Sequence, residues 1–174
     1  MQNQNGGLLG CSYRVCLKKA GKDENFRLKS EQRAIIEVVC SKKDVLGVLL
    51  TGFETSLVSH LLSDVFDFVD AKGPATKTKA ITIVDLPLNA LMRDQIGKLD
   101  YLGAIILDGA KSTNHLATSL ATEGKLQLIF SHPELLLENN TKAMLKTTNF
   151  QRNVRCIVVD EAHLVDDWSA LFFY

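Results

Sequence analysis

From Lys29 onward the chain alternates between two kinds of segment. Short apolar runs, several rich in β-branched residues, lie at Val45–Thr51, Ile81–Asp85, Gly103–Leu107, Leu126–Ser131 and Val154–Asp160. They are apolar at successive positions, as strands covered on both faces are. Between them run stripes of helical period. Ala34, Ile35, Val38 and Val39 make the first. Leu57, Val58, Leu61, Leu62, Val65, Phe66 and Val69 sustain a second over several turns. Leu88, Leu91, Met92, Ile96 and Leu99 make a third, opened by Pro87, whose missing N–H costs nothing at a helix start. Leu116, Ala117, Leu120 and Ala121 make a weaker fourth, with Ser112 or Thr113 as its cap. A further short helix is expected between Pro133 and Lys146. Residues 1 to about 25 are polar and Gly-containing without a sustained period, so they read as a loose lead-in to a domain over 26–174.

This alternation predicts an α/β fold with a central parallel sheet and helices on both faces. Such sheets bind ligands beyond the carboxyl ends of their strands, so the residues that follow each strand are the ones to inspect. The first predicted strand runs through Thr51-Gly52-Phe53-Glu54-Thr55-Ser56 straight into the Leu57–Val69 helix. A glycine turn with a serine at a helix N-terminus is the setting of a phosphate cradle, because unpaired helix N–H groups and the positive dipole end face the anion. The working version also carries a second glycine and a lysine beside the Ser/Thr, and Glu54 and Thr55 occupy those places. Taken alone, the loop fits an ordinary βα turn as well. The last predicted strand ends in Asp160-Glu161-Ala162-His163. Adjacent carboxylates there suit magnesium, the Asp holding the hydrated ion and the Glu orienting or deprotonating a water. Strands also end in such pairs without any ion. The chain order, phosphate loop first and acidic pair after a later strand, favours the functional reading.

Composition narrows the class. The 174 residues are 46% hydrophobic and 23% charged, which fits one globular domain. Twenty Lys+Arg balance twenty Asp+Glu, which argues against a tail-driven nucleic-acid binder but leaves room for a local phosphate groove. Apolar runs fall short of the ~18–20 residues of a membrane span, so no membrane partner is expected. Cys11, Cys16, Cys40 and Cys156 show no CxxC pair and no zinc spacing with the histidines. Cys40 and Cys156 sit in apolar runs and read as small buried hydrophobes. With no secretory signal at the N-terminus, a reducing, intracellular compartment is expected.

Several segments together resemble one family. Ile81-Thr82-Ile83-Val84-Asp85-Leu86-Pro87-Leu88-Asn89-Ala90-Leu91-Met92-Arg93-Asp94-Gln95 is similar to motif Ia of the RecQ-family DNA helicases. Ser131-His132-Pro133-Glu134-Leu135-Leu136 is similar to their later motif built around a Pro-Glu pair, and Asp160-Glu161-Ala162-His163 to their DEAH-type Walker B box. Trp168 falls where that family begins an aromatic-rich loop, and Gln32 where it keeps a glutamine against the adenine edge. The resemblance runs in order from about Phe26 to Trp168. It implies the first RecA-like P-loop domain of an ATP-dependent helicase that moves 3′ to 5′ on DNA, a nuclear protein of DNA repair and recombination. By that resemblance Gln32 contacts adenine, while Thr51, Gly52 and Ser56 cradle phosphate and Ser56 reaches Mg2+. Asp160 holds the metal, Glu161 activates water, and His163 couples nucleotide state to DNA. Pro87, Leu88 and Arg93 lie along the DNA backbone, a single strand or duplex junction, and Trp168 senses it. Plainer readings stand beside these: a half-buried anchor for Trp168, a solvated helix charge for Arg93, surface polar residues for Gln32 and His163.

The departures from the family fall on the residues that handle charge. Glu54-Thr55 replaces the family's Gly-Lys. One lost lysine contact at ~4 Å and an effective dielectric near 20 is worth about 4 kcal/mol before desolvation. Hydrolysis suffers more than binding, because charge on the γ-phosphoryl oxygens must be stabilised in transfer. Leu86 stands where a serine is usual, and Asp85 before it adds a carboxylate where DNA phosphates are expected. Phe173 and Tyr174 replace an Arg-Pro pair at the end of the sequence, where a truncated product lacking the second RecA-like domain is expected. The resulting expectation is a nucleotide domain weak or inactive in hydrolysis and unable to unwind DNA alone. The alternative is a non-catalytic pseudo-helicase domain that binds DNA or a protein partner.

Overall fold

The computed structural model describes residues 13–50, 53–70, 79–87, 89–99 and 102–162. Its strands are β1 (Ile81–Asp85), β2 (Ala104–Ile106), β3 (Leu128–Ser131) and β4 (Val154–Val159). They form one parallel sheet in the order β2-β3-β1-β4. The helices are α1 (Ser30–Cys40), α2 (Thr55–Asp70), α3 (Asn89–Ile96), α4 (Lys111–Thr122), α5 (Pro133–Leu137), α6 (Asn139–Leu145) and α7 (Thr148–Asn153).

The side-chain period of two divides the sheet into two cores. On one face Ile81, Ile83, Ile105 and Ile129 pack against Ala117 and Ala121 of α4, Met144 of α6 and Phe150 of α7. On the other, Val84, Leu128 and Phe130 pack against Met92 of α3. The long helix α2 joins that second face through Ser63, whose hydroxyl donates to Thr82 Oγ1 at 2.8 Å or to the Gln127 carbonyl at 2.6 Å. Helices thus cover both faces, as the alternation implied. β1 is buried at all five positions because it has a strand on each side and a helical layer above and below. Gly103 admits β2 to the sheet: a Cβ there would stand 1.5 Å from the Lys125 carbonyl oxygen, and the Gly103 carbonyl accepts from Gln127 and Leu128 N–H.

Four expectations are corrected. The apolar run over 45–51 does not form a strand among the described residues: residues 43–50 carry no regular structure, and Leu46, Val48 and Leu50 are 75% exposed or more. An apolar run becomes a strand only with a ladder partner. β4, the edge facing this run, pairs with β1 and with no other described strand. Residues 13–19, read as part of a loose lead-in, are helical and bury Tyr13, Cys16 and Leu17 in a core shared with α1 and α2. Finally, the region from Pro133 to Lys146 holds two helices broken at the extended Glu138, and α7 follows them. The stripe capped in expectation by Ser112 or Thr113 starts earlier, with Ala110 at its cap, while Thr113 Oγ1 donates to Asp108.

Two measurements check this arrangement. Gly103→Ala should lower stability by about 2–3 kcal/mol in urea unfolding, since backbone must move to admit the methyl group. Amide hydrogen exchange should be fast at Leu46, Val48 and Leu50 and slow at Ile83 and Val84.

Candidate functional site

Parallel pairing sends every strand's carboxyl end to one edge, and four chain turns follow there: Leu86-Pro87, Leu107-Asp108, His132-Pro133 and Asp160-Glu161. The Asp160 N–H donates to the Asp85 carbonyl at 3.0 Å, extending the β1–β4 ladder one residue past the strand. That bond fixes Asp160 beside the end of β1. Asp160 Oδ1 accepts the Glu161 N–H at 3.1 Å, and Glu161 adopts a φ of 56° that turns the chain away from the sheet. Two turns of this edge are tied side chain to side chain, with His132 Nε2 2.9 Å from Asn89 Oδ1. Pro87 is half-buried beside them, and Arg93, on α3, is exposed.

Asp85 is a departure from the expected DNA-facing carboxylate. It is 6% exposed, between Ser131 and Val159 in the sheet register, with Oδ1 lacking a partner among the described residues. Burial first, and the nearby Glu134 charge second, push its carboxyl up to about 6. Leu86, also expected at the DNA face, is fully buried against Met92 and Phe130.

The phosphate-loop candidate is described from Phe53 onward. Gln32 is 1% exposed and reaches it directly: Gln32 Nε2 donates to the Phe53 carbonyl at 2.5 Å, while Gln32 Oε1 accepts the Lys29 N–H at 2.9 Å. Both ends of this amide therefore serve the backbone. Lys29 Nζ lies 3.7 Å from the Phe53 ring centroid, and Lys22 Nζ meets Glu54 Oε2 at 2.9 Å. Glu54 has a φ of 47°, where a residue without Cβ is more at ease. The Lys22–Glu54 pair is part-exposed on both sides, so it is worth no more than about 1 kcal/mol. Thr55 begins α2, and Ser56 stands half-buried in its first turn.

One turn further, His60 is buried with Nε2 2.9 Å from Gln95 Oε1 and its ring edge-on to Phe130. Burial holds this imidazole below its ordinary value. The Gln95 hydrogen bond and the Asp160 charge oppose that, and Lys98 and Lys22 add to it.

Thr55, Asp160 and Glu161 line one cleft of about 810 Å³, bounded by residues 42–47 and the outer edge of β4. Its volume lies in the range of small-molecule sites. Among the described residues no group of three or more His, Cys, Asp or Glu is placed to hold a metal. Half-buried Asp160 with a nearby hydroxyl-bearing helix start therefore fits Mg2+ only as that ion is usually carried, by one carboxylate together with phosphate oxygens and waters. The phosphate end fits in part, because no lysine stands at position 55 and Glu54 adds negative charge. Thr51, Gly52, Leu88, His163 and Trp168 lie outside the described residues. The structure thus joins Gln32 to the loop and puts Thr55 and Asp160 on one cleft. Sequence reasoning missed Lys22, Lys29, Asn89, His132 and His60. The available signal was slight: Asn89 and His132 lie inside the two motifs, and His60 is the polar member of an apolar stripe.

The pattern of the DEAD/DEAH box helicase family matches residues 29–172. The chain is 29% identical to ATP-dependent DNA helicase Q5 of Rattus norvegicus over 165 residues, 90% of this chain and 15% of that protein. It is 32% identical to the putative ATP-dependent DNA helicase Q1 of Caenorhabditis briggsae, across 88% of this chain and 24% of that one. Against ATP-dependent DNA helicase RecQ of Haemophilus influenzae the identity is 27%, across 88% and 22%. The chain spans less than a quarter of each of these relatives.

Asp85 gives a pH test. Its folded pKa, about 6, exceeds the ordinary 3.8. Its favourable contribution is therefore complete below pH 3.8 and is lost as pH rises through 6. Asp85→Asn should raise stability by roughly 1–3 kcal/mol at pH 7.5, a gain that fades toward pH 4 in urea unfolding. A gain that stays constant with pH would contradict this assignment.

Proposed function

The chain belongs to the DEAD/DEAH box helicase family as a RecQ-like member, and from that premise we propose that it is a nucleotide-binding motor domain that handles ATP weakly. The observation that carries this reading is the cleft shared by Thr55 and the Asp160-Glu161 pair. Thr51, Gly52 and Ser56 cradle the phosphates, and Gln32 turns from the loop carbonyl to the adenine edge. Asp160 holds Mg2+, which supplies charge neutralisation at the phosphate oxygens. Glu161 orients the attacking water, and His163 passes the nucleotide state to DNA. Thr55 brings a hydroxyl where the family brings a lysine, so no cation at position 55 meets the phosphate charge, and backbone N–H groups and the helix dipole face it there. Hydrolysis is then weak or absent, and this chain does not unwind DNA by itself.

DNA, as a single strand or a duplex junction, runs over the edge formed by Pro87, Leu88 and Arg93, with Trp168 beside it. The relatives' names describe DNA helicases. No helix of the described residues is long and apolar enough to cross a membrane. A DNA-directed role suits a nuclear location and work in repair or recombination. One observation favours a second reading. Gln32 is committed at both ends and Glu54 is paired with Lys22, an arrangement that suits a pseudo-helicase domain binding DNA or a protein without ATP.

Titration with a fluorescent ATP analogue and Mg2+ separates the two. The Glu54→Gly, Thr55→Lys double variant should bind at least about tenfold more tightly than the natural chain, the size of a partly screened lysine–phosphate contact. Asp160→Asn should abolish the magnesium dependence. No binding by either chain would leave the second reading.

A further inference from the structure

The loop's missing cation has a candidate elsewhere in the chain. Beyond the helical segment over 13–19, Gly21 takes a φ of 68° and the Lys22 N–H donates back to the Leu17 carbonyl at 3.0 Å. This left-handed ending reverses the chain and aims Lys22 at the loop. The segment is anchored where it reverses. Tyr13, Cys16 and Leu17 are buried in the core shared with α1 and α2, and Lys19 Nζ lies 3.0 Å from Asp64 Oδ1 on α2. Lys22 is therefore positioned by the same helix whose first residue is Thr55. Its ammonium meets Glu54 Oε2 at 2.9 Å, one residue from the lost lysine position, and lies 4.8 Å from the Phe26 ring centroid.

We infer, resting on the nucleotide reading above, that Lys22 is the phosphate-binding cation of this chain and that Glu54 holds it in place until a polyphosphate displaces the carboxylate. The Glu54 side chain is 54% exposed and that of Lys22 28%, so water already competes for the pair. A polyphosphate carries several negative oxygens and outcompetes a single carboxylate for one ammonium. Lys22 is thus a substitute for the lysine absent from position 55, delivered from the N-terminal segment. Glu54 acts as a competitor that sets how tightly the phosphate is held.

Calorimetric titration of the full chain with inorganic tripolyphosphate and Mg2+ tests this without any turnover. Glu54→Ala should tighten binding by about three- to tenfold, the scale of one part-exposed charge contact. Adding Lys22→Ala should return it to the natural value or below, whereas Lys22→Arg with Glu54→Ala should keep most of the gain. Equal tightening in Glu54→Ala with or without Lys22 would overturn the inference, because Glu54 would then act by repulsion alone. The Glu54→Gly, Thr55→Lys variant is the reference. If it binds while Glu54→Ala gains nothing, the nucleotide site stands and Lys22 is not its cation. If no variant binds, the nucleotide reading fails and the inference with it. Thermal unfolding of each variant separates lost binding from lost folding, since Lys22 and Glu54 are surface residues with little expected effect on stability.

Discussion

The pairing of β1 with β4, continued by the Asp160 N–H to the Asp85 carbonyl, is the interaction on which the site depends. It sets the depth at which the acidic pair leaves the sheet. A slip of one residue would exchange the faces of β4, turning Cys156 and Val158 outward and Ile157 into the helical layer. β1 resists such a slip because both of its faces are buried and both of its edges are paired. Asp85 is the concession in this scheme: a carboxyl at the last core position, pushed toward neutrality by burial, within a strand that otherwise carries apolar side chains and Thr82.

Charge at the loop is arranged around an absence. The positive groups that approach residues 53–54 come from the N-terminal segment, Lys22 on Glu54 and Lys29 over Phe53. Gln32 adds a buried amide on the Phe53 carbonyl. These contacts are individually small, and buried Gln32 is the strongest because losing it would strand a backbone carbonyl. Together they tie the start of α2 to the N-terminal segment.

Much of the sheet was legible because burial on both faces leaves a plain signal. Ile81–Asp85 is apolar up to its last residue and was read with its observed limits, and β3 and β4 were read within two residues. The run over 45–51 carries the same signal, and there composition misled: β-branched and apolar residues permit a strand, but only a ladder partner makes one. The helical segment over 13–19 was missed for the opposite reason. Tyr13, Cys16 and Leu17 give a stripe too short to stand out among lysines, and its burial comes from α1 and α2, partners distant in sequence. At the site, motif spacing pointed to Asp160 and Gln32. It was silent on Lys22, since long-range ion pairs leave no local pattern, and it set Asp85 where DNA phosphates are expected, whereas burial in the sheet hides that side chain.

In the proposed function, nucleotide binds at the carboxyl edge of the sheet, between the start of α2 and the Asp160-Glu161 turn. Amide chemical-shift mapping with Mg2+ and ATP tests it most directly. Shifts should concentrate at Gln32, residues 53–56, Asp160 and Glu161, with α4, α6 and α7 on the far face unmoved. Shifts centred on those far helices, or none at the loop even when Glu54→Gly and Thr55→Lys restore its charge, would contradict it.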